Sequence, residues 1–105
     1  MEQRQRDRFA PFPLRGELDL SNADDLLTSL LAHARDTAGE VLCDCSELDY
    51  MDSSALAVLI EVHSSLAEDG RPLRLVNVHG SPLRVLEITG LAERFVDDRN
   101  GADAS

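Results

Sequence analysis

Apolar residues recur along this chain at spacings of two in some stretches and of three to four in others, which predicts strands alternating with helices. In residues 9–14, Ala10, Phe12 and Leu14 share one parity, as on one face of a strand. Pro11 and Pro13 hold the other parity; neither can donate to a ladder, so this strand is expected at a sheet edge. Gly16, Glu17, Leu18 and Asp19 then read as a turn into the first helix. Ser21 with Asp24 three residues on has the form of a capping box, and Asp25 adds negative charge to the first turn. Leu26, Leu27, Leu30, Leu31, Ala34 and Ala38 make one stripe, His33 and Arg35 lie toward the carbonyl end, and Gly39 closes the helix.

The same alternation continues. Residues 41–46 form a short apolar run suited to a central parallel strand, and residues 47–51 read as a loop. From Ser53 to Ala67, the apolar positions Ala55, Leu56, Val58, Leu59, Ile60, Val62 and Leu66 cover more than half of a helical circumference, so this helix is expected to be the most buried, with Gly70 ending it. Residues 73–78 read as a third strand. The next helix has Ser81 as cap, Pro82 at its first position, Leu83, Val85, Leu86 and Ile88 inside, and Gly90 just past its end. Phe95 and Val96 are expected in a last short strand. The pattern therefore predicts one small α/β domain over residues 9–96, with a short, mostly parallel or mixed β-sheet and helices packed against it. Residues 1–8 are expected to be a loosely attached lead, and residues 97–105 a flexible acidic tail.

Composition narrows the function. The chain has 105 residues and a formal charge of −10, so nucleic acid and anionic membrane surfaces are poor partners and a basic protein surface a better one. All ten basic residues are Arg. Without Lys there is no phosphate-loop lysine, no Schiff-base lysine and no counterpart of the receiver-domain lysine. Cys43 and Cys45 sit two apart on a strand, pointing the same way, too constrained for a disulfide and two ligands short of a zinc site. No run reaches the ~18 apolar residues of a membrane span, and a cytoplasmic protein is expected.

Asp52, Ser53 and Ser54 open the most buried helix straight after a strand, at the carboxyl edge of the sheet, where open α/β folds carry their sites. Asp and Ser there serve as ordinary helix caps, and the tripeptide alone implies no more. A catalytic serine needs a base, and His63, ten residues along the same helix, is about 15 Å away. His79 has no identifiable orienting partner. The six glycines are dispersed as turns and helix stops and form no phosphate cradle. Glu17, Asp19, Asp44, Glu47, Asp49 and Asp52 cluster near the strand ends, but without a Lys a Mg²⁺-dependent phosphoryl site lacks its partner, and a solvated acidic surface is the simpler reading. No metal, cofactor or enzymatic activity is expected.

An ordered set of motifs carries a likeness: Gly16-Glu17-Leu18-Asp19, the run from Val41 to Ser46, Leu48, then Tyr50-Met51-Asp52-Ser53-Ser54-Ala55-Leu56, Gly70, and Thr89-Gly90-Leu91. Together these resemble the STAS domain, in particular free-standing anti-sigma factor antagonists. Two departures from that pattern are a first strand that is missing or very short and Ala55 where Gly is commonest. The resemblance implies a regulatory binding protein whose unphosphorylated form binds an anti-sigma factor with serine kinase activity and releases a sigma factor. It further implies phosphorylation at Ser53, reversed by a phosphatase, and a partner-binding surface of Asp19, Asp49, Met51, Asp52, Ser53, Ser54 and Ala55. The alternative it leaves open is a STAS subunit that docks on a transporter ATPase, of a lipid or solute system, without phosphorylation.

Overall fold

The computed structural model describes residues 11–97 and Asn100. Its elements run β1 (Phe12–Leu18), α1 (Ala23–Asp36), β2 (Val41–Met51), α2 (Ser53–Ala67), β3 (Leu73–Val76), α3 (Gly80–Ile88) and α4 (Ala92–Phe95). The three strands form one sheet in the order β1-β2-β3, parallel throughout, with α1 and α2 as the two crossovers. Val96 adds a single parallel bridge to Leu75. Phe95, expected in a last strand, instead closes the one-turn helix α4 and is fully buried.

β2 is the spine of the domain, and it is longer than its periodicity implies. Residues 47–51, expected to be a loop, continue the strand to Met51. The reason lies in the register: from Phe12↔Cys43 to Leu18↔Met51, β2 uses two residues more than β1, with irregularities between Pro13 and Arg15 and between Gly16 and Glu17. Each extra residue is a bulge that re-aims the side chains beyond it. The buried residues accordingly step by two, Val41, Cys43 and Cys45, and then by three, Leu48 and Met51. The bulges keep apolar side chains on the core face while polar residues fill the gaps.

β1 also differs from expectation. It begins at Phe12 and absorbs Gly16, Glu17 and Leu18, which pair with Leu48, Tyr50 and Met51 rather than turning. Gly16 sits at φ +68°, a left-handed value that disfavours side chains and fits the bulged register. Among the described residues β1 is an edge strand, bonded only to β2, as expected from its prolines.

α1 starts at Ala23 after Asn22, and the Ser21–Asp24 capping box does not form. Ser21 donates to Asp19 Oδ1 instead, from its backbone N–H at 2.9 Å and its hydroxyl at 2.5 Å. Ala38, expected on the apolar stripe, lies past the helix end and is exposed, whereas Leu26, Leu30 and Ala34 are buried. The carbonyl end of α1 is held from a distance: Arg71 donates to the carbonyls of Ala34 (3.0 Å), Thr37 (3.2 Å) and Gly39 (2.8 Å). A cation on the free carbonyls of a helix end is favourable both as hydrogen bonding and against the helix dipole.

α2 follows its pattern closely, burying Ala55, Leu56, Val58, Leu59, Val62 and Leu66, with Ile60 left 40% exposed. β3 is shorter than expected because Asn77 takes φ +61° and ends it, its amide donating to Asp44 Oδ1 at 2.9 Å. α3 begins at Gly80 with His79 as its cap residue, so Pro82 is its third residue rather than its first, and Ile88 is 77% exposed rather than inside. The start of the expected tail is bound to β3: Asp97 N–H donates to Leu75 O, and the Asn100 amide side chain pairs with both backbone groups of Val78. The expected lead at residues 1–8, residues 9–10 of the expected first strand, and residues 98–99 and 101–105 of the expected tail lie outside the described residues. One apolar cluster joins the sheet face to α1, α2, Leu86 of α3 and Phe95 of α4.

Candidate functional site

The parallel register brings the ends of β1 and β2 together, since Leu18 pairs with Met51 and the Asp52 N–H donates to Leu18 O at 3.1 Å. Asp52 then leaves the sheet in extended conformation and caps α2: its Oδ1 accepts from Ser54 N–H at 2.9 Å and Ala55 N–H at 3.2 Å, while its carbonyl accepts from Leu56 N–H at 3.0 Å. Asp52 thus caps the helix without a side chain from either serine. Ser53, the first helical residue, is exposed, and among the described residues its hydroxyl has no hydrogen-bond partner. The hydroxyl stands at the positive end of a 15-residue helix whose other side is anchored in the core.

The residues named from the sequence divide in two. Asp19, Asp49, Asp52, Ser53 and Ser54 are exposed or half-buried around this edge. Met51 and Ala55 are buried in the apolar core, at 1% and 0% exposure, and offer a partner no side-chain surface. Asp19 is fixed by its turn: its N–H donates to Asn22 Oδ1 at 2.9 Å, and the Ser21 hydroxyl and N–H bonded to its carboxylate hold its pKa below the ordinary value. Sequence reasoning missed Leu20, which this turn leaves 77% exposed, and Tyr50, 44% exposed, two residues before the cap. The signal for Leu20 was there: it is a leucine between Asp19 and Ser21, off the stripe of the following helix.

Chemically the edge presents a hydroxyl with no hydrogen-bonded base among the described residues. His63 lies ten residues along α2, and His79 is engaged elsewhere, its Nε2 reaching the Ser46 carbonyl at 3.1 Å. No group of three metal-ligating side chains occurs among the described residues. Cys43 and Cys45 are free and buried, and burial pushes both thiols up, Cys45 to about 12, which keeps them protonated and unreactive. No helix among the described residues is long and apolar enough to cross a membrane. Such an arrangement can accept a group transferred from outside, and can dock.

The model of the STAS domain family matches residues 1–102. The chain is a STAS domain. Among proteins with assigned functions, it is 26% identical over 88 residues to the anti-sigma-B factor antagonist of Staphylococcus aureus (strain NCTC 8325 / PS 47), covering 84% of this chain and 82% of the relative. A stretch of 95 residues, 90% of this chain, is 26% identical to 18% of a candidate sulfate transporter of Bacillus subtilis (strain 168). Among solved structures, the anti-sigma factor antagonist SpoIIAA in its unphosphorylated form superimposes with a TM-score of 0.63 at 17% identity, covering 88% of this STAS domain and 81% of that chain. The parallel three-stranded sheet with its helices is therefore the STAS fold.

Proposed function

We propose that this STAS domain is an anti-sigma factor antagonist, a binding module rather than an enzyme, whose docking on an anti-sigma factor is switched off by phosphorylation of Ser53. The observation that carries the reading is the division of labour at the head of α2: Asp52 caps the helix, and the Ser53 hydroxyl is exposed and unengaged. The S. aureus relative, matched over most of both chains, is named for this activity.

The physics of the switch follows from placement. A phosphoryl group on Ser53 brings nearly two negative charges to a helix N-terminus, where the dipole and the free Ser53 N–H accommodate them, so the fold is retained. At an interface the same group sits beside Asp52 and near Asp49, and burying it without a matching cation costs several kcal/mol, where each ~1.4 kcal/mol is tenfold in affinity. Partners fitting the unmodified edge are basic, set against Asp19 and Asp49, with apolar seats for Leu20 and Tyr50. Serine kinase activity in that partner, and a phosphatase to reset the switch, complete the proposal.

The test is binding of the wild type, Ser53→Ala and Ser53→Asp to cognate anti-sigma factors by calorimetry. Ser53→Ala should bind as wild type, and Ser53→Asp at least tenfold more weakly. Equal binding by Ser53→Asp would remove Ser53 from the interface. A transporter as the binding partner, with no anti-sigma factor bound, would favour the reading as a transporter-associated STAS unit, which the likeness to the B. subtilis protein supports.

A further inference from the structure

The opposite edge of the sheet carries a cavity of about 380 Å³, within the ~300–1,000 Å³ range of small-molecule sites, lined by residues of β3, α2 and the α3–α4 corner. Because the strands are parallel, Leu73 pairs with Val41 at the amino ends of β3 and β2, away from Asp52 and Ser53 at the carboxyl end of β2. His63, which lines the cavity, is ten residues along α2 from Ser53, about 15 Å.

Its lining is unusual for a chain of charge −10. Arg74 and Arg94 both line it, and neither has a carboxylate within ion-pair distance among the described residues; Arg15 and Glu47 form the ion pair found there. Two arginines against one carboxylate, Glu93, leave the lining net positive, which favours an anion there. Arg74 is held in place by donating from Nη1 to the Arg94 carbonyl at 3.1 Å, which also ties the turn of α4 to β3.

His63 adds an independent observation. Its Nδ1 is buried and has no hydrogen-bond partner, and its ring is set edge-on against Phe95, with centroids 5.2 Å apart. A buried ring nitrogen without a partner is uncommon, and this one belongs to a residue of the cavity lining. The lining thus combines two arginines and a histidine, with Glu93 as its one carboxylate.

From this geometry we infer that the STAS domain binds a small organic anion, through a phosphate or carboxylate group, in the cavity between Arg74, Arg94 and His63. The site is separate from the phosphorylation edge and does not depend on the proposed function.

Inorganic phosphate and succinate, each titrated into the ¹⁵N-labelled full chain, distinguish the two head groups, with sodium chloride at matched ionic strength as control. The expected result is saturable shifts at Arg74, Gly90, Arg94 and the His63 ring with at least one probe. Half-saturation should move at least tenfold higher in Arg94→Gln, whose side chain is exposed and whose fold-holding bond is made by its carbonyl. Retained amide dispersion in Arg94→Gln shows that the variant is folded; Glu93→Gln, which leaves both arginines, should bind at least as tightly as wild type. Shifts reproduced by chloride, shifts centred on Ser53 to Ala55, or affinity unchanged in Arg94→Gln would each overturn the site.

Discussion

Replacing Asp52 and Ser53 one at a time separates what holds the head of α2 from what is available to react there. Asp52→Ala removes one carboxylate oxygen that accepts from both Ser54 N–H and Ala55 N–H, at 2.9 and 3.2 Å. Loss of an N-cap side chain costs about 0.5–2 kcal/mol, and loss of its charge at the positive end of a helix a further ~0.3–1 kcal/mol, so about 2 kcal/mol is expected. At roughly 4–8 °C per kcal/mol for a domain of this size, the melting temperature should fall by roughly 8–16 °C. Ser53→Ala removes an exposed hydroxyl with no partner from a helical position that Ala suits better, and should stay within about 0.5 kcal/mol of wild type. Thermal unfolding followed by circular dichroism reads both, with urea midpoints as a check at 25 °C. Asp52→Asn, which keeps an accepting oxygen, should recover most of the loss. If Ser53→Ala proved as damaging as Asp52→Ala, the serine would be structural, and its availability as a phosphoryl acceptor would have been misread.

Further outcomes are expected elsewhere. Arg71→Ala should destabilise by about 2 kcal/mol in urea denaturation, because it strips charge-assisted bonds from three carbonyls at the end of α1, and Arg71→Lys should recover only part, since an ammonium cannot span Ala34, Thr37 and Gly39 together. Stability should fall with acid in two windows. His33, half-buried against Phe12, has its pKa lowered chiefly by desolvation, so the unfolded chain takes up its proton first and stability declines as pH drops below about 6.5. Asp44, lowered chiefly by the Asn77 amide, and Asp19, lowered by Ser21, contribute stability above their ordinary carboxylate range that is lost on further acidification. Urea midpoints across pH should show both steps, and Asp44→Asn should flatten the lower one. Neither Cys43 nor Cys45 should react with a thiol reagent at pH 8 in the folded protein, and both should react in urea.

How much of this was legible beforehand depends on whether the signal was local. The stripe from Ala55 to Leu66 predicted a buried helix because a helix of that length shows its period within its own residues, and Asp52 before it declared the cap. The period of two ends β2 at Ser46, because the steps of three to Leu48 and Met51 break it, and such breaks read as loop unless the partner strand is known. Arg71 could not be foreseen as the clamp on α1, being 32 to 37 residues from the carbonyls it serves. The same limit hid the cavity, whose Arg74, Arg94 and His63 come from three separate elements. At the site itself, residue type marked Ser53 and Ser54, but not which of the surrounding residues face outward. The family resemblance places Met51 and Ala55 on the partner-binding surface, whereas the bulged register and the helix phase turn both inward.

The central claim is that Ser53 receives a phosphoryl group that ends docking and spares the fold. Incubating the protein with a cognate anti-sigma factor kinase and ATP, then mapping phosphate by tandem mass spectrometry and recording an amide NMR spectrum of the product, addresses it directly. The account predicts one phosphate, on Ser53, with dispersed amide shifts retained and changes concentrated at the head of α2. Phosphate solely at other residues, or none with a kinase that demonstrably binds the protein, would contradict it.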